Sequence, residues 1–151
     1  MLYYEDGDLL TGPYDIICHQ TNCQGIMGAG LAKQIADRYP IVEYRNMYYY
    51  NHAKHPMLGT ILGTRLPDNK VCINLYAQNR FGRKGRYTDY QAFQQCLDRL
   101  ANELEDSANE IIAFPYGIGC GLAGGDWSVI EPMLEEFSNK VKNKVVIVKR
   151  I

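Results

Sequence analysis

The chain has 151 residues, a formal net charge of −1, 46% hydrophobic residues and 22% charged residues. These values are typical of an ordinary globular protein, and we expect a single domain over residues 1–151. A chain so close to neutral is neither a polybasic nucleic-acid-binding protein nor an acidic disordered tail. It departs from average composition in a modest excess of glycine, 14 residues in all. The prediction of function therefore depends on where the glycines lie.

The sequence predicts neither a membrane protein nor a secreted one. The longest aliphatic run, at 145–148, falls far short of the ~18 apolar residues of a spanning helix, and the first residues lack the basic and apolar regions of a signal peptide. The 5 cysteines are odd in number and contain no C-x-x-C pair, which argues against a disulfide framework and a thiolate zinc site. His52 and His55 are spaced i, i+3, as two metal ligands on a helix can be, but no third ligand is evident. We therefore expect a protein of the reducing cytoplasm that binds neither a metal nor a cofactor.

Five short runs rich in Val and Ile, each bounded by turn residues, predict β-strands. They lie at 15–19, 59–66, 71–76, 110–114 and 144–149. Several of them are apolar at successive positions, which is typical of strands buried on both faces of a sheet.

Apolar residues at helical spacing predict helices between these strands. Two run from about 29 to 39 and from 41 to 52. Two more begin after Thr88 and near Ser128, where Gln91 and Glu131 follow at the spacing of a capping box. The alternation predicts an α/β layered domain with a mostly parallel sheet, whose ligand would lie beyond the carboxyl ends of the strands.

The glycines are concentrated in two windows, each of which follows a predicted strand and precedes a predicted helix. The first holds Gly25, Gly28 and Gly30, and the second holds Gly117, Gly119, Gly121, Gly124 and Gly125. Glycine lets backbone N–H groups approach an anion closely, and a helix N-terminus adds a favourable potential. The two windows therefore predict two loops that hold a diphosphate, with tight turns as the alternative interpretation.

Residues 119–124 also match the dinucleotide fingerprint G-x-G-x-x-G. In the usual Rossmann unit the motif lies in the first strand-to-helix turn, with an acidic residue ~20 positions on. Here only one predicted strand follows, and Lys and Asn residues occupy that offset. A Rossmann site is therefore not favoured.

Four polar residues, two at the end of the first predicted strand and two elsewhere, are candidates for ligand contact. Asn22 can donate and accept hydrogen bonds at once, as recognition of a ribose diol requires, but an Asn here also suits a turn. His19 is either a ligand contact or a hydrogen-bonded structural histidine. Asp8 is as consistent with a turn or a helix cap as with ligand contact. Asp126 is either a general base beside bound phosphate or a residue that complements the helix dipole.

A local basic loop contains Arg80, Arg83, Lys84 and Arg86. It is interpreted as a solvated turn, with a guide for phosphate-bearing ligands or a polynucleotide as the alternative. A thiol-based phosphatase is excluded, because no Arg lies six residues after any cysteine.

Four segments together resemble the macrodomains, α/β modules that bind ADP-ribose. They are Gly-Asp-Leu-Leu at 7–10, His-Gln-Thr-Asn-Cys-Gln-Gly-Ile-Met-Gly-Ala-Gly-Leu-Ala at 19–32, Asn-Leu-Tyr-Ala-Gln at 74–78, and Pro-Tyr-Gly-Ile-Gly-Cys-Gly-Leu at 115–122. The match covers nearly the whole chain, and its order and spacing make it specific. The resemblance implies a three-layer α/β/α fold around a mixed, largely parallel sheet.

Within that family the chain looks closest to the small single-domain branch. This branch contains ADP-ribose 1″-phosphate phosphatases, terminal ADP-ribose glycohydrolases of protein glutamate and DNA ADP-ribosyl glycohydrolases. The resemblance therefore implies a hydrolase whose ligand is ADP-ribose or a derivative of it.

The resemblance also assigns roles to individual residues. Asp8 would accept a hydrogen bond from the adenine amino group, with the Leu9 backbone beside it, and Asn22 would hold the terminal ribose. The residues expected around the diphosphate and the distal ribose are Gly28, Ala29, Gly30, Leu31, Ile118, Gly119, Cys120, Gly121 and Leu122. Gln78 and Gly117 are further candidates for ligand binding.

The chain departs from the glycohydrolases in one important respect. Gln78 lies where some relatives have a nucleophilic lysine, and their acidic partner falls near Ala123 or is displaced to Asp126. An amide cannot form a covalent adduct with the ribose carbon, so the resemblance favours hydrolysis of the terminal phosphate of ADP-ribose 1″-phosphate.

Asn22, Asp126 and His19 are the candidate catalytic residues. The alternatives are removal of ADP-ribose from protein or DNA, and a non-catalytic ADP-ribose reader.

Overall fold

The computed structural model describes residues 1–82 and 85–151, and in this part of the chain six strands form one sheet. The strands are β1 (Leu2–Gly7), β2 (Ile16–Asn22), β3 (Ile61–Arg65), β4 (Val71–Gln78), β5 (Ile112–Pro115) and β6 (Val145–Arg150). Their order in space is β1-β6-β5-β2-β4-β3. Neighbouring strands are parallel except for the β3–β4 pair, which is antiparallel.

Helices cover both faces of this sheet. They are α1 (Gly30–Arg38), α2 (Pro40–His52), α3 (Tyr90–Glu103) and α4 (Trp127–Lys140). Successive side chains of a strand point to opposite faces: Ile17 packs in the cluster that contains Ile35 of α1 and Val42 of α2, whereas Cys18 packs with α3 and α4. The expected three-layer α/β/α fold with a mixed, largely parallel sheet is therefore confirmed.

The inner strands were recognisable because they are buried on both faces. In β6 the residues Val145–Val148 are all buried, and so are the first three residues of β5. Such continuous apolar runs are typical of parallel strands between two helical layers. All five predicted strands are present, with ends shifted by a few residues.

The pattern of Val- and Ile-rich runs does not predict the strand β1. It lies at the edge of the sheet, pairs with β6, and has only Leu2 buried among its six residues. An edge strand that is mostly exposed has little apolar pattern to detect.

The predicted starts of α3 and α4 are also corrected. Asp89, not Thr88, is the N-cap of α3, and its carboxylate accepts from the backbone N–H of Ala92. Asp126, not Ser128, is the N-cap of α4. Aspartate is as favourable as serine or threonine at an N-cap, so the capping-box motif selected the wrong residue in both helices.

The described residues contain no helix with the length and apolarity needed to cross a membrane. All five cysteines are free thiols. The cytoplasmic location stays a prediction.

Candidate functional site

A cleft of about 640 Å³ lies at the carboxyl ends of β2, β4 and β5, between the two glycine windows. This is the position predicted for a ligand in such a sheet. The residues that line it are His19, Gln20, Thr21, Asn22, Ile26, Gly28, Ala29, Gly30, Leu31, Ala32, Gln78, Phe81, Gly82, Pro115, Tyr116, Gly117, Ile118, Gly119, Gly121, Leu122 and Ala123. None of these described residues has a carboxylate, ammonium or guanidinium group, so the cleft wall offers mainly backbone dipoles and neutral side chains.

The N-terminus of α1 opens into this cleft without a side-chain cap. Its N-cap residue, Ala29, makes no capping hydrogen bond, whereas α3 and α4 are each capped by an aspartate. The first amides of a helix have no carbonyl partner within it. The backbone at Gly30 and Leu31 is therefore available to an anion, and the helix dipole favours negative charge there.

The second glycine window forms a turn whose backbone folds onto itself. Gly117 and Gly119 have φ values of 74° and 76°, a region that glycine adopts at little cost. The N–H of Gly125 donates to the carbonyl of Gly119 at 2.8 Å, and the N–H of Tyr87 donates to the carbonyl of Ala123 at 2.7 Å. These bonds fix the loop against the segment that precedes α3.

A chain of side-chain hydrogen bonds connects this loop to β2 and β4. Gln20 donates from Nε2 to Gln78 Oε1 at 2.8 Å and to Thr88 Oγ1 at 2.9 Å. Thr88 in turn donates to the carbonyl of Gly119 at 2.6 Å. The sequence alone does not single out Gln20 and predicts Thr88 as a helix cap, because these partners come from segments that are far apart in the chain.

Asn22 lines the cleft and also shapes the first loop. Its Oδ1 accepts from the N–H of Gln24 at 2.9 Å, and its Nδ2 donates to the carbonyl of Ile26 at 2.9 Å. The predicted turn role is therefore present. An amide has a second hydrogen and a second lone pair, so the same side chain keeps capacity for a ligand hydroxyl.

His19 is almost completely buried, with 1% of its surface exposed, and it lines the cleft. Its Nε2 and Asn74 Oδ1 are 2.7 Å apart, and Asn74 uses its amide nitrogen to donate to Tyr76. Asn74 Oδ1 is thus the acceptor, so the proton lies on Nε2 and Nδ1 is an acceptor. Among the described residues Nδ1 has no partner. Burial lowers the pKa of His19 from 6.5 to about 4, although the bond to Asn74 opposes the shift, so the ring is neutral at pH 7.

Asp126 and Cys120 are not among the lining residues of the cleft. Asp126 Oδ1 accepts from the backbone N–H of Ser128 at 2.9 Å and from its hydroxyl at 2.8 Å. These two bonds lower the pKa of Asp126. Asp126 is thus itself the N-cap of α4, and its role as a general base stays a prediction. Cys120 directs its thiol to the carbonyl of Ile118.

Asp8 and Leu9 line a second, smaller pocket of about 160 Å³. This pocket shares Leu31, Pro115 and Tyr116 with the cleft, so the two are adjacent. Asp8 Oδ1 accepts from the N–H of Leu10 at 2.8 Å, as in a turn, while the residue stays exposed.

Of the predicted basic loop, Arg83 and Lys84 lie outside the described residues. Arg80 and Arg86 are exposed, and the guanidinium of Arg86 lies 4.5 Å from the centre of the Tyr90 ring. His55, considered as a metal ligand and set aside, is hydrogen-bonded from Nε2 to Tyr49 Oη at 2.9 Å.

Comparison with known proteins identifies one family. The family model of the Macro domain matches residues 18–134, which is more than half of the chain. An uncharacterised 17.5 kDa protein of enterobacteria phage T4 is 27% identical over 133 residues, covering 86% of this chain and 84% of that protein.

Two relatives have named activities. The DNA ADP-ribosyl glycohydrolase of Mycobacterium tuberculosis is 26% identical over 89% of this chain, which spans only 38% of the relative's length. The ADP-ribose 1″-phosphate phosphatase of Saccharomyces cerevisiae is 26% identical over 82% of this chain and 84% of the relative.

Solved structures have the same fold. The macrodomain of M. tuberculosis DarG matches with a TM-score of 0.83 at 21% identity, covering 99% of this chain and 97% of that one. Thermosipho africanus DarTG in complex with ADP-ribose matches with a TM-score of 0.81 at 17% identity, covering 97% of this chain and 41% of that one. At these identities the likeness shows the fold.

Proposed function

The chain belongs to the macrodomain family, and from this premise we propose that its cleft binds ADP-ribose and that the protein hydrolyses ADP-ribose 1″-phosphate to ADP-ribose and inorganic phosphate. In this reaction water attacks the phosphorus atom and the bond between phosphorus and the 1″ oxygen breaks. The hydroxyl of the water stays on the phosphate, and its other proton passes to the 1″ oxygen of the leaving ADP-ribose.

The binding proposal rests on how the cleft can hold an anion although no positively charged side chain is among its described lining residues. The uncapped N-terminus of α1 and the second glycine window face the same cleft, and backbone amides in such places bind phosphate. A volume of about 640 Å³ lies within the range of roughly 300–1,000 Å³ that small ligands occupy. The adjacent pocket at Asp8 would take the adenine, and Asn22 the distal ribose.

The choice of reaction rests on one observation, the chemistry of two polar side chains that line the cleft, Gln78 and His19. Gln78 is an amide, held by Gln20 and by the carbonyl of Arg80, so it offers no covalent nucleophile. His19 lines the cleft and offers an acceptor, Nδ1, which is buried and has no partner among the described residues. We assign to it the orientation of the attacking water. A pKa of about 4 makes the ring a weak base at neutral pH, so most of the rate would come from positioning and from amides that stabilise the phosphate.

The test combines calorimetry with ADP-ribose and a phosphate-release assay with ADP-ribose 1″-phosphate. We expect binding and release in the native protein, and binding with strongly reduced release in His19→Gln. Binding without release in the native protein would leave an ADP-ribose reader and end the phosphatase proposal. Failure to bind ADP-ribose at millimolar concentration would overturn both parts.

A second candidate is removal of ADP-ribose from DNA, the activity named for the mycobacterial relative. One observation favours it: Ile26 and Phe81 line the cleft and are 46% and 54% exposed. Their apolar surfaces suit a flat leaving group better than a phosphate. Release of ADP-ribose from an ADP-ribosylated oligonucleotide, with no phosphate release from the small substrate, would select this candidate.

A further inference from the structure

A line of buried polar side chains runs from the candidate cleft to α2. His19 donates from Nε2 to Asn74 Oδ1 at 2.7 Å. Asn74 donates from Nδ2 to the Tyr76 hydroxyl at 3.3 Å, and this hydroxyl donates to Asn46 Oδ1 at 2.6 Å. Asn46, Asn74 and Tyr76 are each 0% exposed, and buried polar groups are costly unless they are hydrogen-bonded. We call these four residues the buried network.

The fold brings the buried network together from three separate segments. His19 on β2 and Asn74 on β4 are paired in register, and Tyr76 lies two residues further along β4. Side chains two residues apart on a strand point to the same face. The helix α2 turns Val42 and Asn46 inward, where an apolar residue is usual. At Asn46 the inward side chain instead accepts the proton of the Tyr76 hydroxyl.

The directions of these hydrogen bonds depend on one another. The oxygen of a primary amide accepts and its nitrogen donates, so turning the Asn74 amide over would present its nitrogen to His19. Nε2 would then have to accept, and the proton of the neutral ring would move to Nδ1. Burial raises the pKa of Tyr76, so the hydroxyl keeps its single proton and can donate to only one of the two amides. Its choice decides which way Asn74 points.

Two contacts favour the observed direction. Asn46 presents its oxygen to Tyr76, while its Nδ2 has no partner among the described residues. The thiol of Cys72 is also placed to donate to Asn74 Oδ1, at 3.8 Å, and burial raises the pKa of Cys72 to about 12, so the thiol is protonated. Asn74 Oδ1 thus lies between two donors, Cys72 and His19, as an acceptor should.

We propose that Asn46, Tyr76 and Asn74 are positioning residues that keep the ring proton of His19 on Nε2, so that Nδ1 can accept a hydrogen bond from the attacking water. This inference rests on the proposed hydrolysis, in which His19 orients that water. It extends the site to the interior of α2, because Asn46, Asn74 and Tyr76 are not among the described residues that line the cleft.

Nitrogen-15 NMR of the histidine rings at pH 7 tests the proposal, because ring nitrogens with and without a proton differ in chemical shift. At this pH a pKa of about 4 keeps the ring of His19 neutral, and the spectrum of His19→Gln identifies its signals among the 3 histidines. We expect the proton on Nε2 in the native protein. In Asn46→Leu the Tyr76 hydroxyl loses its acceptor and should donate to Asn74 Oδ1. The Asn74 amide then turns over, and the proton should move to Nδ1.

Three further variants control for folding and for nearby changes. Asn46→Asp keeps an oxygen in the accepting position and should retain the proton on Nε2. Tyr49→Phe is the matched control, because it removes a hydroxyl of α2 that bonds outside the network and whose ring lies 5.3 Å from the Tyr76 ring. It should also leave the proton on Nε2. Asn46→Leu combined with Tyr76→Phe removes both partners of one bond, which can be nearly neutral for stability, and should populate both tautomers.

Phosphate release and calorimetry with ADP-ribose connect the tautomer to function. Asn46→Leu should lower kcat for release by at least about tenfold, with nearly native affinity for ADP-ribose. A ring proton on Nδ1 in the native protein would overturn the proposal, and so would a proton that stays on Nε2 in both Asn46→Leu and the double variant. Native release from Asn46→Leu with the proton on Nδ1 would also overturn it. The expected tautomers in a native protein that releases no phosphate would instead end the proposed hydrolysis, while the control of the ring proton by Asn46 would stand.

Discussion

The hydroxyl of Thr88 donates a 2.6 Å hydrogen bond to the carbonyl oxygen of Gly119. The same hydroxyl accepts from Gln20 Nε2 at 2.9 Å, so one side chain connects β2 with the second glycine window. The bond fixes the direction of the Gly119 carbonyl, which also accepts from the N–H of Gly125. Thr88 thus determines which way the neighbouring amides of the loop point.

We predict that Thr88→Val lowers the affinity for ADP-ribose by roughly tenfold. Valine keeps the shape of threonine but leaves Gln20 Nε2 and the Gly119 carbonyl without this partner, a cost of about 1–3 kcal/mol when such groups are buried. Thr88→Ser retains the hydroxyl and should bind nearly as the native protein does. Calorimetry with ADP-ribose measures both variants, and equal affinity for Val and Ser would contradict the positioning role.

Much of the site could be predicted because its determinants are local in sequence. Asn22 comes directly at a strand end, and the glycines cluster in loops that join a strand to a helix. Backbone amides need no partner side chain to bind an anion, so the pattern of the glycines was sufficient to locate the cleft.

The Gln20–Thr88 connection could not be predicted in the same way. Gln20 and Thr88 are joined only when β2 and the segment before α3 meet in the fold, and neither belongs to a motif. The role of Asp126 was ambiguous for a different reason. An aspartate before a helix has the same sequence context whether it caps the helix or contacts a ligand. The bonds from Ser128 show that Asp126 caps α4, whereas its contact with a ligand stays a prediction.

Gly119→Ala and Gly121→Ala separate the folding role of a glycine from ligand contact. At Gly119 φ is 76° and a Cβ would lie 2.8 Å from Gln20 Oε1, so alanine is strained whatever is bound. At Gly121 φ is not positive and a Cβ would meet nothing within 4 Å. Gly119→Ala should therefore lose at least about 1 kcal/mol of stability, and Gly121→Ala should be as stable as the native protein.

The affinity for ADP-ribose is the second measurement on the Gly119→Ala and Gly121→Ala variants. Gly121 lines the cleft, so its added methyl group occupies space that a diphosphate would use, and we expect weaker ADP-ribose binding without loss of stability. Urea unfolding and calorimetry provide the two readouts. If Gly121→Ala bound ADP-ribose with native affinity, the diphosphate would not approach this part of the loop.

His19 should make stability depend on pH. Burial lowers its folded pKa to about 4 from an ordinary value of 6.5, so between these values the unfolded chain binds a proton that the folded protein does not. The free energy of unfolding should then fall as pH decreases from about 6.5 towards 4, by up to about 3 kcal/mol from this group. Above pH 6.5 the group contributes no pH dependence.

The measurement compares urea unfolding of the native protein and of His19→Gln at pH 7 and pH 4.5. Glutamine does not titrate, and its amide can still donate towards Asn74. The carboxylates contribute equally to both proteins, so the native protein should lose more stability than the variant on acidification. Parallel losses would mean that burial does not lower the pKa of His19 in the folded protein.

Asp126 can be assigned to capping or to catalysis by two substitutions. Asparagine is as favourable an N-cap as aspartate, so Asp126→Asn should keep the bonds from Ser128, the melting temperature and the rate of phosphate release. Asp126→Ala loses the cap and should melt a few degrees lower, with catalysis by the remaining folded protein unchanged. Thermal unfolding and the release assay on both variants measure these effects. Because Asp126 is absent from the residues that line the cleft, we expect stability alone to change; loss of release in Asp126→Asn with a native melting temperature would instead identify the carboxylate as the general base.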